Sequence, residues 1–334
     1  MSISLLVSAA FLAASATVTP VQRVDVGNGR HMVLRCLGNG PRTVLFDSGG
    51  SDWSPVWALV QPEVAKVARA CTYDRAGLGE SDPARGPRTP GAIAQDIHAL
   101  VSAAKISGPV VLVGHSLGGF NVKLAAALYP DDVAGLVLLD PAEDRTWDRS
   151  RDKLAAKYGS QVAARAELAD QAFIGMLIEH YRRCSSAAAN GPLDLEKPEW
   201  RRCGDPDRPA LSPELNAERR RIHATANYQA AQASEIAWSV YGDHSADGVY
   251  EGLFKPGRFG SRPTVVLTHQ EEPSNDPVDQ LNTEQGLTLH RETAALSQRG
   301  SHSVVPDSGH YIQLDQPKIV SEAILDVLRK LDSD

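Results

Sequence analysis

Pro109-Val110-Val111-Leu112-Val113 runs directly into Gly114-His115-Ser116-Leu117-Gly118-Gly119, and helical spacing follows from Gly118 to Tyr129. An apolar run this continuous, with no polar alternation, fits a strand buried on both faces of a parallel sheet. Gly-x-Ser-x-Gly between such a strand and a helix fits a sharp turn. There the serine takes strained backbone angles and the glycines make room for it. The turn would project the Ser116 hydroxyl from the sheet and set the N–H of Leu117 at a helix start, where it can stabilise a developing oxyanion. The Gly-x-Gly-x-x-Gly spacing of a dinucleotide loop is absent.

The same alternation extends to both sides. Val21–Val26 and His31–Leu37 read as an antiparallel pair around Gly27-Asn28-Gly29. Thr43–Phe46, Ala70–Tyr73 and Val133–Leu139 read as further strands, with helices expected over Val56–Ala68 and Ile93–Ala104. From about Arg145 to Arg258 the chain turns polar and helical. Long helical stretches run from Leu154 to Tyr181 and from Glu214 to Tyr241, around a Pro- and Cys-containing loop. Thr264–Leu267 returns as a buried strand, followed by a helix over Thr283–Leu296, a strand at Ser303–Val305 and a closing helix over Lys318–Leu331. The expected organisation is an α/β core over 17–144 and 259–334, interrupted by a helical cap over 145–258.

The 334 residues include 42% hydrophobic and 22% charged residues with a net charge of −7. This is globular composition, and an acidic chain without a basic block is a poor partner for nucleic acid or anionic lipid. Ile3 to Val18 is apolar and uncharged, too short for a membrane span, and ends near Ala14-Ser15-Ala16, a small-x-small pattern. It reads as a signal peptide over 1–16 and implies a secreted or periplasmic protein, although no Lys or Arg precedes the run. An uncleaved run would leave the chain cytoplasmic. No Cys follows the Ala-x-Ala site, so no lipid anchor is expected. Four cysteines then suggest disulfides. Cys184 and Cys203 share one polar region and are the favoured pair; Cys36 and Cys71 can bridge if their strands are neighbours. No Cys-x-x-Cys or His-Glu-x-x-His suggests a metal, and no cofactor is implied.

A serine hydroxyl needs a base. Of ten histidines, His310 in Asp307-Ser308-Gly309-His310-Tyr311 is the candidate, because it follows the last strand. His302 is the second choice. His115 adjoins Ser116 but points elsewhere on a tight turn, and His244 reads as a surface residue.

Phe46–Gly50, Tyr73-Asp74-Arg75-Ala76-Gly77-Leu78-Gly79-Glu80-Ser81, Gly114–Gly119 and Gly309–Pro317 together resemble the α/β-hydrolase superfamily, in order and over 21–331. The resemblance implies a mostly parallel sheet flanked by helices, with a nucleophile–acid–base triad. It implies a second oxyanion donor after the third strand, where Ser48-Gly49-Gly50 stands in place of the usual His-Gly-x; Gly50 is the expected donor beside Leu117, and Ser51 a weaker one. The Asp74–Ser81 stretch resembles a structural turn of the family, with no catalytic role. Most members carry the acid after the strand corresponding to Thr264–Leu267, where this chain reads His269-Gln270-Glu271-Glu272. Leu139-Asp140-Pro141-Ala142-Glu143 instead resembles the acid-bearing segment of pancreatic-type lipases. Asp140 is therefore favoured over Glu272.

The expected activity is a serine hydrolase cleaving small-molecule carboxylic esters through an acyl-enzyme, with Ser116, His310 and Asp140 as triad. Alternatives on the same triad are an amidase or peptidase, a lactonase or a thioesterase. A ligand-binding relative that lost turnover is a different class. The substrate and oligomeric state are left open.

Overall fold

The computed structural model describes residues 21–242 and 248–333. The leader expected over 1–16 and His244 lie outside them. One eight-stranded sheet, in the order β1-β2-β4-β3-β5-β6-β7-β8, organises the described chain. Its strands are β1 (Gln22–Asp25), β2 (His31–Leu37), β3 (Thr43–Asp47), β4 (Arg69–Tyr73), β5 (Val110–His115), β6 (Val133–Leu139), β7 (Thr264–His269) and β8 (Gly300–Val305). From β4 onward every neighbouring pair is parallel; β2 is antiparallel to both β1 and β4. The chain turns from β3 to β4 on one side and to β5 on the other, which is the reversal point where α/β sheets bind ligands at their carboxyl edge.

The apolar runs do not alternate because both faces of the sheet are covered. Val110 and Leu112 of β5 join Leu45 in one core with Ile93, Ile97 and Leu100 of α2 (Pro90–Ala103) and Phe120 and Leu124 of α3 (Leu117–Leu128). Val111 and Val113 face the other way. They join Val44, Phe46, Val137 and Leu139 against Val320, Ile324 and Val327 of the closing helix, which spans Pro317–Asp332. Each such side chain contributes on the order of 1.5–3 kcal/mol when buried.

The helix expected over Val56–Ala68 is mostly irregular. A 3₁₀ turn occupies Ser54–Trp57, and only α1 (Gln61–Val64) is α-helical. Pro55 and Pro62 each stand at the start of one short piece, because proline fits a first turn and not a helix interior.

Between β6 and β7 come α4 (Thr146–Tyr158), α5 (Ser160–Ala188), α6 (Pro213–His223) and α7 (Ala226–Trp238). The two long helical stretches read from sequence are each two helices. Gly159, at φ 89°, parts α4 from α5. Thr225, whose side chain accepts from the N–H of Tyr228, starts α7 afresh. The remaining helices are α8 (Pro277–Ala294), α9 (Ile312–Asp315) and α10 (Pro317–Asp332).

Both cysteine pairs are disulfides. Cys36 and Cys71 stand directly opposite each other on β2 and β4. Cys184 on α5 joins Cys203 in a 3₁₀ turn. Two bridges fit an oxidising compartment. No helix among the described residues is long and apolar enough to cross a membrane.

Candidate active site

Ser116 sits between β5 and α3 at φ 52° and ψ −122°, a region that side chains rarely occupy. The surroundings over-determine it. Its N–H donates to Leu139 O at 2.9 Å, and its carbonyl accepts from the N–H of Ala142 at 2.9 Å. The glycines of the turn are a packing requirement: a Cβ on Gly118 would lie 2.3 Å from Ser48 O and 2.6 Å from Asp47 O. The serine turn is thereby pressed against the loop that follows β3. As the first helical residue, Leu117 has an N–H with no partner inside its helix.

Asp140 follows β6, also at positive φ, and its N–H donates to Leu267 O at 2.7 Å. Its Oδ2 lies 2.5 Å from His310 Nδ1. A carboxylate this close requires the proton on Nδ1 and leaves Nε2 as the basic nitrogen. Burial alone would raise the Asp140 carboxyl. Hydrogen bonds from His269 and His310 and the nearby positive charge outweigh it and hold the group far below the ordinary carboxylate range.

His310 is held from behind by His115. That side chain is buried, and its Nε2 lies 2.8 Å from the carbonyl of His310, with ring centroids 4.6 Å apart. Burial, then the positive potential of His310, pushes His115 well below the usual histidine range, so it is neutral and donates through Nε2–H. A Cβ on Gly49 would come within 2.8 Å of His115 Nδ1, so this histidine also dictates a glycine in the loop after β3.

Gly49, Gly50, Ser51, His115, Ser116, Leu117 and His310 line one cavity of about 170 Å³. Leu177 and Tyr181 from α5, and Gln232, Glu235 and Ile236 from α7, supply its other wall, with Tyr241. Tyr181 hydrogen-bonds Ser51, and its hydroxyl is pushed up to about 12, chiefly by burial. Of the aromatic residues between β6 and β7, Tyr181 and Tyr241 reach this cavity, whereas Phe173 and Trp238 are exposed.

Arg75, in the turn after β4, holds the two walls together. It is 1% exposed and donates to Asp47 Oδ1 at 2.7 Å, Ser48 O at 2.5 Å and Gly49 O at 2.7 Å. Its remaining donors make a bidentate pair with Glu235 on α7, both bonds 2.7 Å. Sequence reading gave this stretch only a structural turn; the partners lie 26 to 160 residues away, and no local pattern announces them.

The second candidate acid, Glu272, is exposed and lines a separate surface cleft with Lys157 and Glu284. The second candidate base, His302, bonds Thr268 Oγ1 at 2.8 Å. His269, at the end of β7, was not anticipated; its Nδ1 lies 2.7 Å from the same Oδ2 of Asp140. Among the described residues, two groups bring three metal-capable donors within 4.8 Å: Asp140, His269 and His310, and His180, Cys184 and Cys203. In the first, both Nδ1 atoms are already hydrogen-bonded to the carboxylate. In the second, both sulfurs are in a disulfide.

The family profile of the alpha/beta hydrolase fold matches residues 42–317. The chain belongs to the α/β-hydrolase family. Lipase LipV of Mycobacterium tuberculosis is 36% identical over 140 residues, which are 40% of this hydrolase and 52% of LipV. The chain spans 16% to 52% of the lengths of curated relatives that share 33% identity or more with it. A thermophilic esterase from Thermogutta terrifontis superposes with a TM-score of 0.57 at 21% identity, covering 95% of this chain and 99% of the esterase. The epoxide hydrolase CorEH does so with a TM-score of 0.58 at 16% identity, covering 95% and 100%. An esterase and an epoxide hydrolase fit equally well, so this likeness is one of fold.

Proposed function

We propose that this α/β-hydrolase is a serine esterase acting by two-step acyl transfer. The observation that carries the reading is the 2.5 Å contact between Asp140 Oδ2 and His310 Nδ1, with His310 and Ser116 on one cavity at the carboxyl edge of the sheet. His310 Nε2 takes the Ser116 proton as Oγ attacks the ester carbonyl. Asp140 holds the imidazole in the required tautomer and stabilises its charge. The N–H groups of Gly50 and Leu117 receive the oxyanion. The protonated His310 then releases the alcohol, and the same residue activates the water that frees the acid. This sequence uses protein groups alone. Serine at the turn disfavours the carboxylate nucleophile of epoxide opening.

The helices between β6 and β7 act as a cap that closes the acyl pocket, since α5 and α7 furnish one wall of the cavity. A volume of about 170 Å³ is small beside the roughly 300–1,000 Å³ of common ligand sites, which favours short acyl groups. The apolar leader and the two disulfides support export. LipV, a lipase by name, is consistent with ester chemistry.

The test is p-nitrophenol release from acetyl, butyryl and octanoyl esters by the wild type and Ser116→Ala. Turnover should be highest for acetyl and fall by a factor of about 10⁶ in the variant, on the scale of a lost serine nucleophile. Retained turnover in folded Ser116→Ala would remove the nucleophile from the reading.

A further inference from the structure

Asp140 has two histidines on one oxygen. Its Oδ2 lies 2.5 Å from His310 Nδ1 and 2.7 Å from His269 Nδ1. The far side of His269 is also occupied, with Nε2 2.9 Å from Glu271 Oε1. The result is a line of four groups, Glu271, His269, Asp140 and His310, contributed by the loop after β7, the end of β6 and the loop after β8. A ring with a carboxylate at each nitrogen donates through both of them, which is the arrangement of an imidazolium. The hydrogen bond that His269 donates to Asp140 is the largest influence on it and raises its affinity for a proton, Glu271 adding to it.

A histidine that merely filled space would not need both nitrogens opposite carboxylates. The other ionisable groups packed here are accounted for. His290 of α8 bonds Pro141 O at 2.9 Å and Thr268 Oγ1 at 2.7 Å. His302 of β8 bonds the same Thr268 hydroxyl, and Tyr241 lines the neighbouring cavity with Asp140, His269, Glu271 and His310. Of these groups, His269 and His310 hydrogen-bond the Asp140 side chain.

We propose that His269 is a positioning residue that acts through Asp140, with Glu271 orienting its ring. The inference rests on the triad reading above. A carboxylate anchored at one point can rotate about χ1 and χ2; a second donor fixes the plane in which its oxygen meets His310. The positive charge on His269 has a second effect. It stands behind the carboxylate that stabilises the charge formed on His310 during turnover, so it weakens that stabilisation. Losing the donor should therefore reduce kcat. Losing only the charge should move the acid limb of the pH profile upward, because a cation beside the proposed triad has then been removed.

The experiment compares the wild type, His269→Ala, His269→Asn, Glu271→Gln and Ser116→Ala with p-nitrophenyl acetate across pH. The rate at which a fluorophosphonate labels Ser116 serves as a second readout that needs no turnover. His269→Ala should lower kcat by about 10- to 100-fold, the scale of a misplaced catalytic group, with KM changed by less than about twofold. His269→Asn keeps a donor near the Nδ1 position and should recover most of kcat and of the labelling rate. Both variants should shift the acid limb of kcat/KM upward by about half a pH unit, because a nearby cation has been removed. Glu271→Gln removes an anion instead of a cation and should not move the acid limb upward.

Unchanged kcat and labelling in His269→Ala, beside a silent Ser116→Ala, overturns the inference and leaves the triad standing. Equal losses in the Ala and Asn variants with an unmoved acid limb also overturn it, since that is what loss of packing produces. Turnover surviving in Ser116→Ala overturns the underlying triad reading instead.

Discussion

The sheet and the helices between β6 and β7 face each other across the same cavity, yet they are held by different forces. The sheet is packed on both faces by two large apolar clusters, and its strands end in loops locked by backbone hydrogen bonds. The inserted helices have small apolar clusters, such as Trp147, Leu154, Ala163 and Ala166 with Leu281, and a second around Cys184 and Cys203. Much of the rest is ionic: Arg208 and Arg219 with Asp52 and Asp205, Arg149 with Glu143 and Glu292, Lys157 with Glu284. The half proposed to supply the reacting groups is therefore held by burial. The half that shapes the pocket depends more on ion pairs and on a disulfide than on a large apolar core.

The contrast can be pressed at four points. The largest effect belongs to Asp140→Asn, which should lower kcat by about 10⁴-fold, while Glu272→Gln leaves it within about twofold; steady-state kinetics on the two variants reads this directly. If the second change is the damaging one, the acid is carried by the loop after β7 and not by the end of β6. Phe46→Ala, in the apolar core beside Trp57, should destabilise the fold by about 3–5 kcal/mol, seen as a lower urea midpoint for the whole chain. Cys184→Ser with Cys203→Ser opens a loop of 19 residues and should cost about 3 kcal/mol. The loss should be confined to the helices: amide exchange should quicken in α5 and α7 and stay slow in β5 and β6. Equal quickening in both would erase the distinction between the halves.

The smallest effect is a pH dependence. His269 binds its proton more tightly folded than unfolded. Its contribution to stability is therefore complete below the ordinary value of 6.5 and is lost as pH rises through the folded value. Asp140 has the opposite sign. Its contribution is complete above the ordinary value of 3.8 and is lost as pH falls. The difference in melting temperature between the wild type and His269→Asn should be greatest between these two pH values and should shrink above neutrality. A difference that grows with pH would contradict the charge assigned to His269.

What could be read from the sequence follows the same division. The strands and the serine turn announce themselves because a buried strand is a short apolar run and its end is marked by Gly, Asp or Pro within a few residues. The preference for Asp140 over Glu272 rests instead on the resemblance to pancreatic-type lipases. The sequence also made Cys184–Cys203 the favoured pair and Cys36–Cys71 conditional on strand neighbours, a condition that the opposite placement of Cys36 and Cys71 meets. The breaks at Gly159 and Thr225 were overlooked although a glycine and an N-capping threonine mark them. His269 and Arg75 were beyond local reading altogether. His269 meets its carboxylate across 129 residues, and Arg75 meets Glu235 across 160. Such pairs exist only once the sheet order has been set.

The Arg75–Glu235 pair bears on how this enzyme can be rebuilt. Helices between β6 and β7 invite exchange as a cassette, because they enter and leave the sheet at neighbouring strands. Here the cassette is keyed. Any graft without an acidic side chain at the place of Glu235 would strand a guanidinium that is 1% exposed, with its contacts to Asp47, Ser48 and Gly49 intact and its bidentate partner gone. Removing one side of a buried pair costs about 3–5 kcal/mol, and the strain would fall on the loop carrying Gly50. A transplanted pocket would then arrive with the proposed oxyanion site damaged unless the key travels with it.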